Sequence, residues 1–164
     1  MAITREPIPY ADRCAAGRTL ASALATYRDT PGLLVLALPR GGVPAADIDT
    51  VLQRERAELM RREQAYRGNR PPLQLAGRTV LLVDDGLATG ATMEVAVQVL
   101  RAMSPAKLVV AVPVAAPDAA ARLRGLVDDV ICPLLPEHFR AVGLWYRDFS
   151  QTTDDEVLTL LGAH

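Results

Sequence analysis

Several residue types and patterns are scarce in this sequence, and each scarcity excludes a class of protein. Two cysteines among 164 residues, Cys14 and Cys132, are too few for a disulfide framework and lack the spacing of metal ligands. Both are therefore expected to be reduced thiols in the core. No apolar run approaches the roughly 18 residues needed to span a bilayer, which predicts no membrane partner. The 18 basic residues nearly cancel the 19 acidic ones, so no basic surface for nucleic acid is expected.

The amino terminus lacks the apolar stretch of a secretion signal and carries charged residues instead, which predicts a cytoplasmic protein. Aromatic residues are also few, with one Trp, four Tyr and two Phe. Four of these seven fall between Phe139 and Phe149.

Short apolar runs of strand length alternate with stretches of helical spacing. This alternation predicts a single α/β domain over residues 1–164, with a parallel sheet and flanking helices. The predicted strands are Leu33–Leu38, Val80–Val83, Leu108–Val112 and Val127–Cys132. The predicted helices are Asp12–Tyr27, Thr50–Tyr66, 93–103, 117–126 and about 153–161.

The most informative stretch is residues 80–92, Val-Leu-Leu-Val-Asp-Asp-Gly-Leu-Ala-Thr-Gly-Ala-Thr. Asp84 and Asp85 come where a buried strand ends, and a loop of small residues then leads into a helix. In parallel sheets ligands bind at the carboxyl ends of strands, and a helix N-terminus favours a phosphate. The two carboxylates would repel that phosphate and are better suited to hydroxyl groups or magnesium. The stretch therefore predicts a sugar-phosphate site.

Three other interpretations of this stretch are available. The plainest is a buried strand followed by a capped helix, because acids and Thr are common helix caps. A nucleotide-hydrolase phosphate loop is excluded, since it requires Gly-Lys-Ser or Gly-Lys-Thr. A bacterial receiver domain is excluded because it needs a Lys after a later Asp, whereas the only Lys is Lys107, upstream of Asp128 and Asp129.

Residues 80–92 closely resemble the ribose-phosphate signature of type I phosphoribosyltransferases, which bind 5-phosphoribosyl 1-pyrophosphate (PRPP). The resemblance implies a Rossmann-like parallel-sheet core with flanking helices and a carboxyl-terminal aromatic segment. It assigns the ribose 2- and 3-hydroxyls to Asp84 and Asp85. Mg²⁺ would arrive with PRPP, with either acid as an optional ligand. The 5-phosphate would be bound by the loop residues Ala88, Thr89, Gly90, Ala91 and Thr92.

A second loop follows the first predicted strand and contains Arg40, Gly41 and Gly42. Two glycines allow backbone amides to face a ligand, and an arginine provides a fixed positive charge. The loop resembles the pyrophosphate loop of the same family, which implies that these three residues bind pyrophosphate.

The region after this loop departs from the family at Asp47 and Ile48, where roughly one strand and a mobile loop are missing. Either the natural chain is shorter or the sequence omits a segment. In the second case Asp47 and Ile48 would lie much farther apart than the roughly 3.8 Å between bonded residues. The first core strand would then neighbour Val80–Val83.

The carboxyl-terminal aromatic segment loosely resembles the hood of hypoxanthine-guanine enzymes. On that resemblance Phe139, Trp145 and Asp148 would bind the base, with rings stacking on it and the acid bonding to its edge. The alternative is a small core that caps the end of the sheet. Those enzymes have an Asp where this chain has Ala88 and a Lys near Pro113 and Ala115, so the base and the general base stay unassigned.

The resemblance implies Mg-dependent phosphoribosyl transfer from PRPP to a nitrogenous base, with release of pyrophosphate. The alternative function is a non-catalytic PRPP sensor. The Arg40 loop favours the enzyme, and the missing mobile loop favours the sensor. The expected partners are these small molecules, with a homodimer as one option for the oligomeric state.

Overall fold

The computed structural model of the protein describes residues 9–38, 74–153, 155, 156 and 159. Its sheet has four parallel strands in sequence order, β1 (Leu34–Ala37), β2 (Thr79–Val83), β3 (Lys107–Ala111) and β4 (Asp129–Ile131). The helices are α1 (Arg13–Ala23), α2 (Ala91–Ala102) and α3 (Pro117–Arg124), with 3-10 turns at Ala25–Tyr27 and Val142–Trp145. The predicted α/β fold with a parallel sheet and flanking helices is confirmed.

The chain divides into two compact units, and the sheet belongs to the first, whose described residues are 9–38 and 75–149. In the second unit the Thr153 amide and hydroxyl donate to the Glu156 carboxylate at 2.7 and 3.0 Å, and the Glu156 amide donates to Thr153 Oγ1 at 3.3 Å. This reciprocal capping satisfies donors at a helix start. A single domain over 1–164 stays a prediction.

Strand β3 lies at the centre of the core because it is covered on both faces. Every residue from Leu108 to Val112 is fully buried, as expected for an apolar run between two neighbouring parallel strands. The buried side chains Met93 and Val97 of α2 and Leu123 of α3 add to this core.

Backbone pairing continues past the strands and fixes the loops at the carboxyl edge of the sheet. The Leu87 amide donates to the Val114 carbonyl at 3.0 Å, and the Ala116 amide donates to the Leu87 carbonyl at 2.8 Å. The Ala115 amide donates to the Leu134 carbonyl at 3.1 Å. The loops after β2, β3 and β4 are therefore joined to one another, so a ligand at this edge meets a braced backbone.

Element ends differ from the predictions by a few residues, for local reasons. The predicted helix Asp12–Tyr27 ends as an α-helix at Ala23 and continues as a 3-10 turn, while Asp12 is the N-cap and accepts from the Ala15 amide at 2.7 Å. Strand β4 is shorter than Val127–Cys132 because it pairs with β3 only through residues 129–131.

The expectation of two core thiols is half wrong. Cys14 is exposed on α1, because the buried positions of that helix are Ala16 and Leu20. Cys132 is partly buried and donates to the Leu134 carbonyl at 3.1 Å, and burial raises the pKa of its thiol to about 11. Among the described residues no helix has the length and apolar character needed to cross a membrane.

Several predictions concern residues outside the described ranges. These are the pyrophosphate loop Arg40, Gly41 and Gly42, the junction between Asp47 and Ile48, and the helix Thr50–Tyr66. The prediction that the first core strand neighbours the Val80–Val83 strand is confirmed, since β1 pairs with β2 through residues such as Leu36 and Leu82.

A polar cluster holds the opposite, amino-terminal edge of the sheet. Asp128 accepts from the Leu108 amide at 2.7 Å and from Arg101 Nη2 at 2.9 Å. The amide hydrogen bond is the main cause that lowers the pKa of the Asp128 carboxyl below its usual 3.8. This carboxylate therefore stabilises the turn that leads into β4.

We expect Asp128→Asn to lower the free energy of unfolding by about 1 kcal/mol at pH 7, because a neutral amide oxygen accepts more weakly from the Leu108 amide and forms no ion pair with Arg101. Because the folded-state pKa is lowered, the stabilisation is present above the unfolded pKa and is lost as pH falls through the folded value. Urea unfolding from pH 7 down to pH 3 should show the difference from wild type shrinking. Glu137→Gln, at an exposed carboxylate, is the control, and a pH-independent difference would contradict the prediction.

Candidate functional site

The acid pair lies at the carboxyl end of β2, as predicted. Asp84 and Asp85 follow Val83 directly, and both are partly buried. The Asp84 side chain accepts from the Asp85 amide at 2.8 Å, which holds the turn between them. The Asp85 carboxylate accepts from Arg13 Nη2 at 3.2 Å and Nε at 3.3 Å. This second contact brings the start of α1 to the acid pair.

The predicted phosphate loop connects the acid pair to α2. Ala88 and Thr89 are exposed, while Gly90 is buried and has φ +77° as the N-cap of α2. Ala91 and Thr92 are the exposed first residues of the helix, and Thr89 Oγ1 accepts from the Ala91 amide at 3.4 Å. An exposed loop at the N-terminus of a 12-residue helix is suited to an anion, because the first N–H groups of a helix have no partner within it and point the same way as the positive end of the helix dipole.

Helix α3 supports this loop from behind. Arg122 donates through Nη2 to the Thr89 carbonyl and through Nε to Glu94 Oε1 at 3.1 Å. A Cβ on Gly90 would lie 3.4 Å from Ala119 Cβ, so the loop packs closely on α3. Glu94 lies in the first turn of α2, where its negative charge would oppose a bound phosphate, and Arg122 offsets that charge.

The carboxyl-terminal aromatic segment, residues 139–149, packs against the sheet and the acid pair. Trp145 is 9% exposed and belongs to a buried cluster with Tyr10, Val114 and Tyr146. Phe139 is partly buried and stacks on Trp145 with ring centroids 6.4 Å apart. Asp148 is exposed, and its amide donates to the Ala11 carbonyl at 2.9 Å. These contacts match the small-core alternative for Trp145, whereas Phe139 keeps part of its surface accessible.

One glycine in the acid-pair turn shows how closely the aromatic segment packs there. A Cβ added to Gly86 would lie 2.7 Å from Cγ1 of Val142 and 3.1 Å from Cγ1 of Val114. In real proteins a Cβ atom essentially never lies within 3.0 Å of another heavy atom in this way. The position therefore favours glycine, because Val142 of the aromatic segment and Val114 of the loop after β3 pack against it.

Two residues around the predicted site, Arg13 and Arg122, were not found from the sequence. The contacts of Tyr146 with Asp85 and of Phe149 with Arg13 were not predicted either. For Arg13 a signal was available, since it is the first residue of α1 and a cation is unfavourable at a helix N-terminus. For the other three contacts the sequence carried no signal, because they join parts of the chain that are far apart in sequence.

The acid pair could supply carboxylate ligands to a magnesium ion that arrives with substrate phosphates. Among the described residues no group of three or more His, Cys, Asp or Glu side chains could hold a metal. Magnesium is usually bound by one or two carboxylates together with substrate phosphates. Two adjacent carboxylates beside a loop that is predicted to bind a phosphate are compatible with that pattern.

Comparisons with known proteins agree with this geometry. A family model described as "Phosphoribosyl transferase domain" matches residues 14–146. The Mycobacterium tuberculosis proteins "Putative phosphoribosyl transferase Rv0571c" (strain ATCC 25618 / H37Rv) and "Putative phosphoribosyl transferase MT0597" (strain CDC 1551 / Oshkosh) are each 35% identical over 205 residues. These matches cover 93% of this chain and 46% of each relative, so the chain spans about half the length of the curated relatives it matches.

A solved structure is also similar over nearly its whole length. The crystal structure of TT1426 from Thermus thermophilus is 33% identical, with a TM-score of 0.70. The match covers 93% of this chain and 97% of that chain.

We expect Gly86→Ala to lower the free energy of unfolding by about 1–3 kcal/mol, the usual cost of overpacking. Val142→Ala introduced into Gly86→Ala should recover part of that loss, because it removes the atoms nearest the new methyl group. Gly17→Ala in α1 is the matched control, since nothing lies within 4 Å of a Cβ there. Urea unfolding of the single and double variants gives the coupling, and strictly additive effects would contradict this packing.

Proposed function

The chain belongs to the family of phosphoribosyl transferase domains, and from this premise we propose that it transfers a phosphoribosyl group from PRPP to a nitrogenous base. In the proposed reaction a ring nitrogen of the base forms a bond to C1 of the ribose, and the bond from C1 to the pyrophosphate oxygen breaks. Pyrophosphate leaves with that electron pair, and the nitrogen transfers its proton to water. Mg²⁺ is the proposed cofactor.

The observation that carries the proposal is the joining of an acid pair and a helix-start loop at one edge of a parallel sheet. The loop 88–92 can donate backbone N–H groups and the Thr89 and Thr92 hydroxyls to the 5-phosphate. Asp84 and Asp85 can accept from the ribose hydroxyls, because a hydroxyl donates to a carboxylate whereas a phosphate is repelled by it. No other interpretation of the stretch uses both halves of this arrangement.

The proposed transition state resembles an oxocarbenium ion flanked by pyrophosphate. Positive charge develops at the ribose ring, next to two carboxylates that are fixed before the substrate arrives, and such fixed charges stabilise it. Mg²⁺ would neutralise charge on the leaving pyrophosphate, with Asp84 or Asp85 as an optional ligand. The loop Arg40, Gly41 and Gly42 stays the predicted pyrophosphate site, outside the described residues.

The base-binding role is proposed mainly for Phe139. Its ring is partly buried on Trp145, so one surface can be accessible to a planar base while Trp145 supports the other from the core. Asp148 is exposed and stays a predicted partner for the base edge. The acceptor base is unassigned, because Pro113 and Ala115, which stand where the hypoxanthine-guanine enzymes have a Lys, are buried and have no charge.

A PRPP sensor without transferase activity is the second candidate, and the comparison with the M. tuberculosis relatives favours it. The match extends over 205 residues, whereas this chain has 164 residues, of which 93% are matched. Part of the aligned length therefore has no counterpart here. A missing closing loop would leave binding possible while exposing the reacting centre to water. A cytoplasmic location and a homodimer stay predictions.

Pyrophosphate release separates the two candidates. The protein would be incubated with PRPP, Mg²⁺ and a panel of purine and pyrimidine bases, and PRPP affinity would be measured in parallel by calorimetry. Base-dependent release supports the transferase, and binding without release for any base supports the sensor. The absence of PRPP binding with Mg²⁺ present would overturn both.

We expect the double variant Asp84→Asn, Asp85→Asn to raise the Kd for PRPP by about a hundredfold or more, since two hydrogen bonds to charged groups are weakened. The fold should persist, because both residues lie in a partly exposed turn after β2. Asp128→Asn, at the opposite edge of the sheet, is the control and should leave PRPP affinity unchanged. Unchanged affinity in the folded double variant would rule out the ribose role.

We expect Thr89→Val and Thr92→Val each to raise the Kd for PRPP by about tenfold, because each removes a donor to the 5-phosphate. Thr19→Val is the control, since Thr19 is exposed on α1 and donates to the Ala15 carbonyl. The same titrations with inorganic phosphate should show a comparable loss. A loss for neither ligand would remove the hydroxyls from the phosphate site.

A further inference from the structure

Arg13 is held between an acid of the proposed sugar site and an aromatic ring. Its guanidinium donates twice to Asp85 Oδ2, at 3.2 and 3.3 Å, and lies 3.9 Å from the centre of the Phe149 ring. The side chains of Arg13 and Asp85 are only 18% and 22% exposed. A partly buried ion pair beside a ring is screened less than a surface pair and strengthened by the ring face.

The position of Arg13 in its helix gives a physical reason for its ion pair with Asp85. Arg13 is the first residue of α1, and the first turn of that helix contains no acid. A cation there faces the positive end of the helix dipole. Asp85, which lies 72 positions away in the sequence, is a negative group that offsets this cost.

A second contact fixes the backbone of the same acid. The Tyr146 hydroxyl donates to the Asp85 carbonyl at 2.5 Å, and Tyr146 is 4% exposed. The Tyr146 ring lies 4.9 Å from Phe149, so the two contacts with Asp85 share one aromatic support. The amides of Arg147 and Asp148 donate to the carbonyls of Tyr10 and Ala11, both at 2.9 Å, which joins this support to the start of α1.

These contacts have an electrostatic consequence for the acid pair. Asp84 and Asp85 are adjacent in the chain, and like charges so close repel each other. The Arg13 guanidinium offsets part of that repulsion at Asp85. The same guanidinium repels a divalent cation, which makes Asp85 better suited to a sugar hydroxyl than to magnesium.

We propose that Arg13, braced by Phe149, is a positioning residue that orients the Asp85 carboxylate for a sugar hydroxyl, and that Tyr146 fixes the backbone of Asp85 for the same purpose. The inference rests on the proposed function, since it assumes that Asp85 binds the ribose. A carboxylate that is oriented before binding loses less conformational freedom when the ligand arrives. Neither residue touches the reacting atoms in this assignment.

Two conservative variants test the proposal in the full chain. Arg13→Gln removes the charge but keeps much of the stem, and Tyr146→Phe removes a single oxygen atom. Each should raise the Kd for PRPP and for ribose 5-phosphate, by about tenfold for Arg13→Gln. Neither should change the Kd for inorganic phosphate, because the loop 88–92 is not touched. A general loss of structure would instead raise the Kd for the sugar phosphates and for inorganic phosphate alike.

Matched controls isolate the contact with Asp85. Tyr27→Phe also removes a tyrosine hydroxyl, but one that bonds to Asp129 and Lys107 at the opposite edge, and it should leave all affinities unchanged. Arg13→Gln in an Asp85→Asn background should add little further loss, because the group that it positions is already altered. Arg13→Lys should restore part of the sugar affinity, since it keeps the charge without the two-donor geometry.

The outcomes separate this inference from the proposed function. If the wild-type chain binds neither PRPP nor ribose 5-phosphate, the proposed function fails and this inference fails with it. If the wild type binds them and folded Arg13→Gln and Tyr146→Phe bind equally well, only the inference is overturned. Equal losses for ribose 5-phosphate and inorganic phosphate, or full additivity with Asp85→Asn, would also overturn it.

Discussion

Backbone pairing between the loops at the carboxyl edge of the sheet is the constraint on which the candidate site depends. Leu87 lies in the middle of the predicted site, three residues after Asp84, and its amide and carbonyl bond to the loop after β3. Val114 and Ala115 in that loop are fully buried, so the pairing is shielded from water. The turn with the acids and the loop for the phosphate are therefore anchored at a shared central point. A site for a sugar phosphate requires this, because its two ends must be held at a fixed separation.

Two rings of the aromatic segment are more deeply buried in the structure than a base-binding site would require. The clustering of four rings indicated a base site, with a small core as the alternative. Trp145 and Tyr146 are buried, and Tyr146 bonds to the Asp85 backbone, while Phe139 stays partly accessible. Both interpretations are thus compatible with one segment. Its buried rings can stabilise the acid-pair turn while Phe139, at the surface, contacts a base. The role of Phe139 in base binding stays a prediction.

The strands, helices and family were predictable from the sequence because their signals are local. Continuous apolar runs such as Leu108–Val112 indicate strands buried on both faces, and the motif at 80–92 places the acids, the small loop and the helix start close together in the chain. The resemblance to phosphoribosyltransferases based on that motif is confirmed. The support for the motif was not predictable, because Arg13 and Tyr146 reach Asp85 only after the chain has folded. The exposure of Cys14 was missed for a related reason, since the helix face that packs is set by Ala16 and Leu20.

The proposed chemistry divides into two parts that can be lost separately. Holding the sugar phosphate requires the acid pair, the loop at the start of α2 and the residues that brace them, and all of these lie in the described first unit of the chain. Transfer also requires that water be kept away while pyrophosphate leaves, which depends on closing segments in many enzymes. The relatives contain aligned residues without a counterpart here, so the second requirement is the one on which the two proposed functions differ. A PRPP sensor and a transferase would therefore share the sugar-phosphate site. They would differ in whether a segment closes over that site and excludes water.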